Sequence, residues 1–431
     1  MNNSVFMNIS LVMYGIKKCS GKCLYCSAAS TMNYRDSKNK TTFKFDKEKT
    51  RKKILEYTRV EEVSKKSPVS LHVDVWGGNP IENFNEFKQV VEFLQNDLKE
   101  FSSIKIHTSG NGLELQSADI VNYLIENNIG YQLSHDGLGQ YIRTGEIDPL
   151  YWDKTAENIV NLTKRGLLDW INCTLNNRNY SFFENKKYFD DWMRANDLLD
   201  TNLTIKLNHL YPGTPPVEKK WTGKDIPALH GRSACKNGEV IGDLAFNDKN
   251  LIDYMHEFRK IGIICLTPGI NNSNEWKHYS DYILNQINRW GTMNSENEGE
   301  GICRKFQMGI VDKTFAIDTL GEYCQCNLLD SSTPVKNPKG TRTKECETCV
   351  YSKQKECHLC GSEVYEDPCK YLYQNCQVLE EFAQLKWLLD EVAKNNSSNC
   401  ENNGCHCNEK NCNEKNNDIK EPIYCIKNYS V

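Results

Sequence analysis

Three cysteines stand close together near the N-terminus: Cys19, Cys23 and Cys26, within YGIKKCSGKCLYCSAAS from Tyr14 to Ser30. Their spacing is C-x3-C-x2-C. Thiolates are soft ligands that suit iron–sulfur clusters and zinc. A structural zinc site takes four ligands, and no neighbouring His or Cys supplies the fourth. Three thiolates in so tight a loop can hold three corners of a cubane 4Fe–4S cluster. The fourth iron then stays open to a small molecule. An aromatic residue, Tyr25, directly precedes the third cysteine.

The other cysteines point the same way. The chain has 20 in 431 residues, a count that reads as disulfides only in an exported protein. The N-terminus MNNSVFMNISLVMYG has no basic region and no long apolar run, so it does not read as a signal peptide. No stretch is long and apolar enough for a transmembrane helix. A cytoplasmic location is therefore expected. Between the first loop and Cys303 lie only Cys173, Cys235 and Cys265. Clustering at two places suits metal centres better than a disulfide framework. The net charge of −4 implies no general attraction to nucleic acid or to a membrane.

The first loop must sit on a scaffold. VFMNISLVM, over 5–13, reads as a strand leading straight into it. Further strands are expected at 70–76, 103–108, 129–134, 168–175 and 202–208. Helices are expected at 46–65, 83–98, 117–127, 153–165 and 182–196. Strands alternating with helices predict a parallel sheet with crossover connections. Ligands then bind at the carboxyl ends of the strands. Those ends carry Gly77-Gly78-Asn79-Pro80, Thr108-Ser109-Gly110-Asn111-Gly112 and Ser134-His135-Asp136-Gly137. Each alone is an ordinary turn composition; their order behind the cysteine loop carries the inference. Residues 212–250 read as an irregular insertion, in which Tyr211, Trp221, His230 and Cys235 either touch substrate or pack a surface loop. Helices follow at 249–261 and 273–295.

From Gly301 the chain reads GICRKFQMGIVDKTFAIDTLGEYCQC, whose middle alternates like a hairpin. Then come Cys346-x2-Cys349, Cys357-x2-Cys360, Cys369 and Cys376. Two C-x2-C pairs are a usual zinc-ribbon signature, so zinc and iron–sulfur readings both stand for this region. Residues 394–418 are polar and of low complexity, with Cys400, Cys405, Cys407 and Cys412. Such a segment builds no core.

The cysteine spacing, the aromatic before the third cysteine and the ordered turn motifs resemble the radical S-adenosylmethionine (radical SAM) superfamily. The C-terminal cysteines resemble a SPASM domain, as in anaerobic sulfatase-maturing enzymes. The resemblance implies an α/β fold: a partial (β/α)6 TIM barrel over 1–212 and linking segments over 213–300. A SPASM-like domain over 301–393 and the tail over 394–431 complete the expected division. It implies one 4Fe–4S cluster on Cys19, Cys23 and Cys26 that binds S-adenosylmethionine (SAM), and two auxiliary 4Fe–4S clusters. The outer auxiliary cluster falls to Cys346, Cys349, Cys357 and Cys376, with Cys369 the rival to Cys376. The inner one falls to Cys303, Cys326 and Cys360, with Cys324 chosen as fourth ligand or an iron left open for substrate. Around SAM it implies Tyr25, Gly77, Gly78, Asn79, Ser134, Asp136, Arg143 and Leu210.

The sequence departs from the family pattern at several points. Asn79 replaces the Glu of a GGEP motif. Cys303 is farther from Gly321 than usual, and the four-cysteine run has spacings x7 and x2 in place of x5 and x3. Asn327 stands where the sulfatase-maturing branch has a basic Asp, which disfavours that reaction. The expected function is reductive cleavage of SAM to a 5′-deoxyadenosyl radical, followed by hydrogen abstraction from a peptide or protein, with crosslinking or oxidation. A flavodoxin- or ferredoxin-type donor would supply the electron. The alternatives are a radical SAM dehydrogenase of a small molecule and a non-catalytic metal-binding protein. The tail is expected to be disordered and is either unselected, metal-sequestering, or a tethered form of the Cys-rich precursors that some SPASM enzymes modify.

Overall fold

Six strands, joined by helical crossovers, follow one another from Val5 to His209. The computed structural model describes residues 5–16, 19–21, 23, 42–65, 67–209, 233–236, 239–243, 248–267, 269–270, 273–291, 314–324 and 384–391. The strands are β1 (Val5–Val12), β2 (Val69–Trp76), β3 (Ser103–Gly110), β4 (Gly130–Ser134), β5 (Leu168–Leu175) and β6 (Thr204–His209). Each pairs in parallel with the next, from Val5 opposite Val69 on the first pair to Leu175 opposite His209 on the last. The β2 sequence VSLHVDVW shows why the sheet has two faces. Leu71, Val73 and Val75 are buried, while His72, Asp74 and Trp76 are half-buried on the opposite side.

The helices cover the apolar face. They are α1 (Lys47–Thr58), α2 (Phe84–Asp97), α3 (Ala118–Glu126), α4 (Asp153–Lys164) and α5 (Phe182–Ala195). Phe87, Val90, Val91, Phe93 and Leu94 form the buried stripe of α2, each side chain contributing about 1.5–3 kcal/mol of burial. Asp46 caps α1 by accepting from Lys49 N at 3.0 Å, and Ser181 caps α5 by accepting from Glu184 N at 3.2 Å. The single helix expected over 46–65 is interrupted. Arg59 is left-handed at φ 46 and ends α1, and a separate turn, Val60–Val63, follows.

The polar face of the sheet is concave. Lys206 on β6 lies close enough to Asp74 on β2, four strands away, for the two charges to interact. The far edge of β6 has no partner strand among the described residues. The architecture is an α/β fold with a parallel sheet curled into a partial TIM barrel, as expected. Within the region read as an irregular insertion, β7 (Ser233–Lys236) and β8 (Glu239–Asp243) form an antiparallel hairpin. Helices α6 (Asp248–Leu266) and α7 (Lys277–Gly291) follow. By its internal contacts the chain divides into residues 1–386 and 387–431; of the second unit only 387–391, which are helical, are described.

A seventh strand opens the expected hairpin and also joins the sheet. β9 (Thr314–Asp318) lies parallel to β1, from Asn8 opposite Thr314 to Val12 opposite Asp318. The antiparallel return is brief: Tyr323 bridges Ile317, and Cys324 N donates to Ala316 O at 3.0 Å. Alternation reveals a strand but not its partner, and the free edge of β1 offers the longer ladder. Thr319 fastens it. Its Oγ1 accepts from Tyr14 N at 3.0 Å and donates to Lys44 O at 2.6 Å, and its carbonyl accepts from Thr50 Oγ1 at 3.2 Å. Thr319→Val keeps the shape but leaves Tyr14 N and Lys44 O without this partner. We expect a loss of about 2 kcal/mol in chemical denaturation; an unchanged midpoint would refute the fastening role.

Candidate active site

Because all seven strands of the main sheet run parallel, their carboxyl ends open on one mouth. The cysteine loop enters it from β1. Gly21 is closely surrounded: a Cβ there would lie 3.3 Å from Cys19 Sγ, 3.6 Å from Cys23 Sγ and 3.2 Å from Asn111 Nδ2. Two thiols thus share one small space. The loop is held by Glu82, whose two carboxylate oxygens accept from Ser20 N at 2.8 Å. The Ser20 hydroxyl donates to Glu82 as well. From the end of β3, Asn111 Nδ2 donates to Ser20 Oγ at 3.1 Å and reaches Cys19 Sγ at 3.9 Å.

Cys23 is buried, and Arg143 Nη1 donates to its sulfur at 3.3 Å. Positive charge beside a sulfur suits a ligand that binds as thiolate. The same guanidinium donates through Nη2 to Asp136 Oδ1 at 2.9 Å. Asp136 is fully buried and heavily engaged. Its Oδ1 also accepts from Thr174 N at 3.0 Å, its carbonyl accepts from Asn179 Nδ2 at 2.7 Å, and its N–H donates to Gln140 Oε1 at 2.8 Å. This places Asp136 as the anchor that aims Arg143 at the cysteine loop.

At the end of β2, Gly77 and Gly78 have φ of +125 and +58. A Cβ on Gly77 would lie 3.2 Å from Met13 O, so only glycine lets β2 leave the sheet against β1 here. Asn79 follows, buried, with its Nδ2 donating to Glu82 Oε1 and to Glu114 Oε2, both at 2.9 Å. The departure from GGEP has a local reason. A glutamate at this position would set a third carboxylate against two others, whereas the amide bonds both. Asn79 Oδ1 is buried with no hydrogen-bond partner among the described residues.

Glu114 itself is buried, and burial pushes its carboxyl above the ordinary range; hydrogen bonds from Tyr131 and Asn79 counter this in part. The Tyr131 hydroxyl donates to Glu114 Oε1 and accepts from Gly112 N at 3.0 Å. Gly110 leaves space for this group: a Cβ there would overlap Glu114 Oε1 and lie 2.5 Å from the Tyr131 oxygen. Gly110→Ala should therefore cost about 1–3 kcal/mol by overpacking. Thermal unfolding checks it, and wild-type stability would mean that Glu114 moves aside freely.

His135, between Ser134 and Asp136, is fully buried. Its Nδ1 accepts from Gly137 N at 3.0 Å, which leaves the proton on Nε2 to donate to Asp148 Oδ1 at 2.8 Å. Burial alone would raise the Asp148 carboxyl. The hydrogen bonds from His135, Tyr188 and Leu150 outweigh it and hold the group below its usual range.

Of the residues anticipated from sequence, the mouth brings together Cys19, Cys23, Gly77, Gly78, Asn79, Asp136 and Arg143. Ser134 ends β4 and is half-buried. Cys324 is buried against Val12, Ala316 and Trp76 beside the β9 turn. Tyr25, Cys26, Leu210, Cys303, Cys326, Asn327, Cys346, Cys349, Cys357, Cys360, Cys369 and Cys376 lie outside the described residues. Sequence reasoning missed Glu82, Asn111, Glu114 and Tyr131. The one signal for Asn111 was its Gly-Asn-Gly turn at a strand end.

No family model matches the sequence, and no curated protein matches it. Solved structures do match the fold. Native anSMEcpe with bound AdoMet and Cp18Cys peptide aligns at 14% identity, covering 91% of this chain and 99% of that one, with a TM-score of 0.51. Native anSMEcpe with bound AdoMet aligns at 15% identity, covering 90% and 100%, with a TM-score of 0.50. The chain thus shares, along nearly its whole length, the fold of anSMEcpe.

Proposed function

We propose that this protein is a radical SAM enzyme that modifies a peptide or protein. The observation that carries the reading is the convergence of Cys19 and Cys23 on the space over Gly21, at the mouth of the barrel, with Arg143 against one sulfur. The residues present fit the cofactors. Thiolates are the usual ligands of a 4Fe–4S cluster, and Cys26 completes the set of three. The unpartnered Asn79 Oδ1 is an acceptor suited to the amino group of SAM, and the glycines before it allow close approach of the ligand. Ser134, Arg143, Tyr25 and Leu210 complete the proposed SAM pocket. Bound to a reduced cluster, SAM supplies a 5′-deoxyadenosyl radical able to take a hydrogen atom from substrate.

The chain's own residues position and shield. Glu82 and Asn111 fix the loop through Ser20, and Asp136 aims Arg143 at Cys23. AdoMet and a peptide are bound in the fold neighbour, which supports a peptide-sized substrate here. Asn327, where the sulfatase-maturing branch carries its base, disfavours sulfatase maturation as the reaction. The C-terminal cysteines would hold two auxiliary clusters. Anaerobically reconstituted protein should carry about twelve irons, three cubanes in all. It should release 5′-deoxyadenosine from SAM with dithionite. About eight irons would remove one auxiliary cluster; zinc without iron would end the reading.

A further inference from the structure

A second group of ligating side chains lies on the concave face of the barrel and has no part in the site above. His72 and Asp74 project from β2 and His107 from β3, and one ligand atom of each lies within 4.8 Å of the others. His107 is only 2% exposed, yet neither of its ring nitrogens has a hydrogen-bond partner among the described residues. The same holds for His72 Nε2, which lies 3.5 Å from Asp74 Oδ1. Buried polar atoms are nearly always paired, so four unpaired atoms in one spot need an explanation. The fourth is Asp169 Oδ1; Asp169 Oδ2 is 3.6 Å from His107 Nδ1.

We infer that His72, Asp74 and His107 form a binding site for a divalent transition ion of the zinc class, with Asp169 within reach as a further ligand. Two imidazoles and a carboxylate are the donor set such ions take. A metal uses the imidazole lone pairs that the protein leaves idle. The rings are already placed: the His72 and His107 centroids are 4.5 Å apart, and His107 lies over Gly130, where a Cβ would come 2.5 Å from Nε2. Glycine at 130 therefore makes the room the ring occupies. Lys105 and Lys206 oppose a cation here. Lys105 is largely exposed and screened by solvent, and the Lys206 ammonium is drawn over the Trp170 ring. Such an ion would tie β2 to β3 beneath the mouth.

The test uses full-length protein with its iron–sulfur clusters loaded and its remaining thiols alkylated under anaerobic conditions. It is then equilibrated with zinc chloride and passed over a desalting column. Wild type should retain one zinc per chain more than His72→Ala or Asp74→Asn. Asp74→Asn keeps the side-chain shape, and circular dichroism of each variant checks that it is folded. Zinc-edge X-ray absorption of the wild type alone should show nitrogen and oxygen at about 2.0–2.1 Å. Equal zinc in wild type and both variants, or a shell of sulfur only, overturns the inference. SAM cleavage is measured in the same samples and reports separately on the proposed activity.

Discussion

Replacing Cys19, Cys23 and Cys26 together with alanine should abolish release of 5′-deoxyadenosine while leaving the barrel folded. The loop is at the rim: Cys19 is half-buried, and its neighbours bond through Ser20 to Glu82 and Asn111 by contacts that do not involve sulfur. The core of the sheet and its helices does not depend on it. Without three thiolates no cubane can be held there, and the reductive chemistry has no electron entry. Anaerobic assay with dithionite, with circular dichroism on the same samples, separates loss of chemistry from loss of fold. Release at the wild-type rate from the triple variant would sink the assignment.

The second large effect is expected at Arg143. Arg143→Met leaves the Asp136 carboxylate buried without the guanidinium that pairs with its Oδ1. Breaking a buried pair from one side typically costs about 3–5 kcal/mol. Asp136→Asn combined with Arg143→Met removes both charges and should recover a large part of that loss. The single variant should also bind its first cluster less firmly, because the charge beside Cys23 is gone. Denaturation midpoints and iron content of the two variants decide the matter. Wild-type stability and iron in Arg143→Met would show that the pair neither holds the fold nor serves the loop.

Much of the scaffold was legible because period-2 and period-3.6 patterns are local. The strand expected at 168–175 is Leu168–Leu175, and that at 103–108 runs on to Gly110. The Gly-Gly-Asn-Pro and Ser-His-Asp-Gly turns could be placed at strand ends for the same reason. What was not legible depends on contacts between distant segments. Nothing local says that Glu82 reaches back to Ser20, or that Tyr131 closes on Glu114. The hairpin after residue 314 was legible, but the pairing of β9 with β1 was not, because alternation fixes a face and not a neighbour. The break at Arg59 falls inside a charge-rich run with neither Gly nor Pro to mark it.

The pairing of β9 with β1 has a consequence during synthesis. Tyr14 and Thr319, which close that pairing, are 305 positions apart. At a ribosomal rate of about 5–20 residues per second, roughly 15–60 s pass between the two. Throughout that time one edge of the first strand offers unpaired backbone groups to any other nascent chain. β1 carries the apolar residues Ile9, Leu11 and Val12, so the N-terminal barrel has to be sheltered until its last strand emerges. A chain cut short before residue 314 keeps that edge open for good. Recombinant fragments ending there should aggregate through β1 even though the first six strands are present.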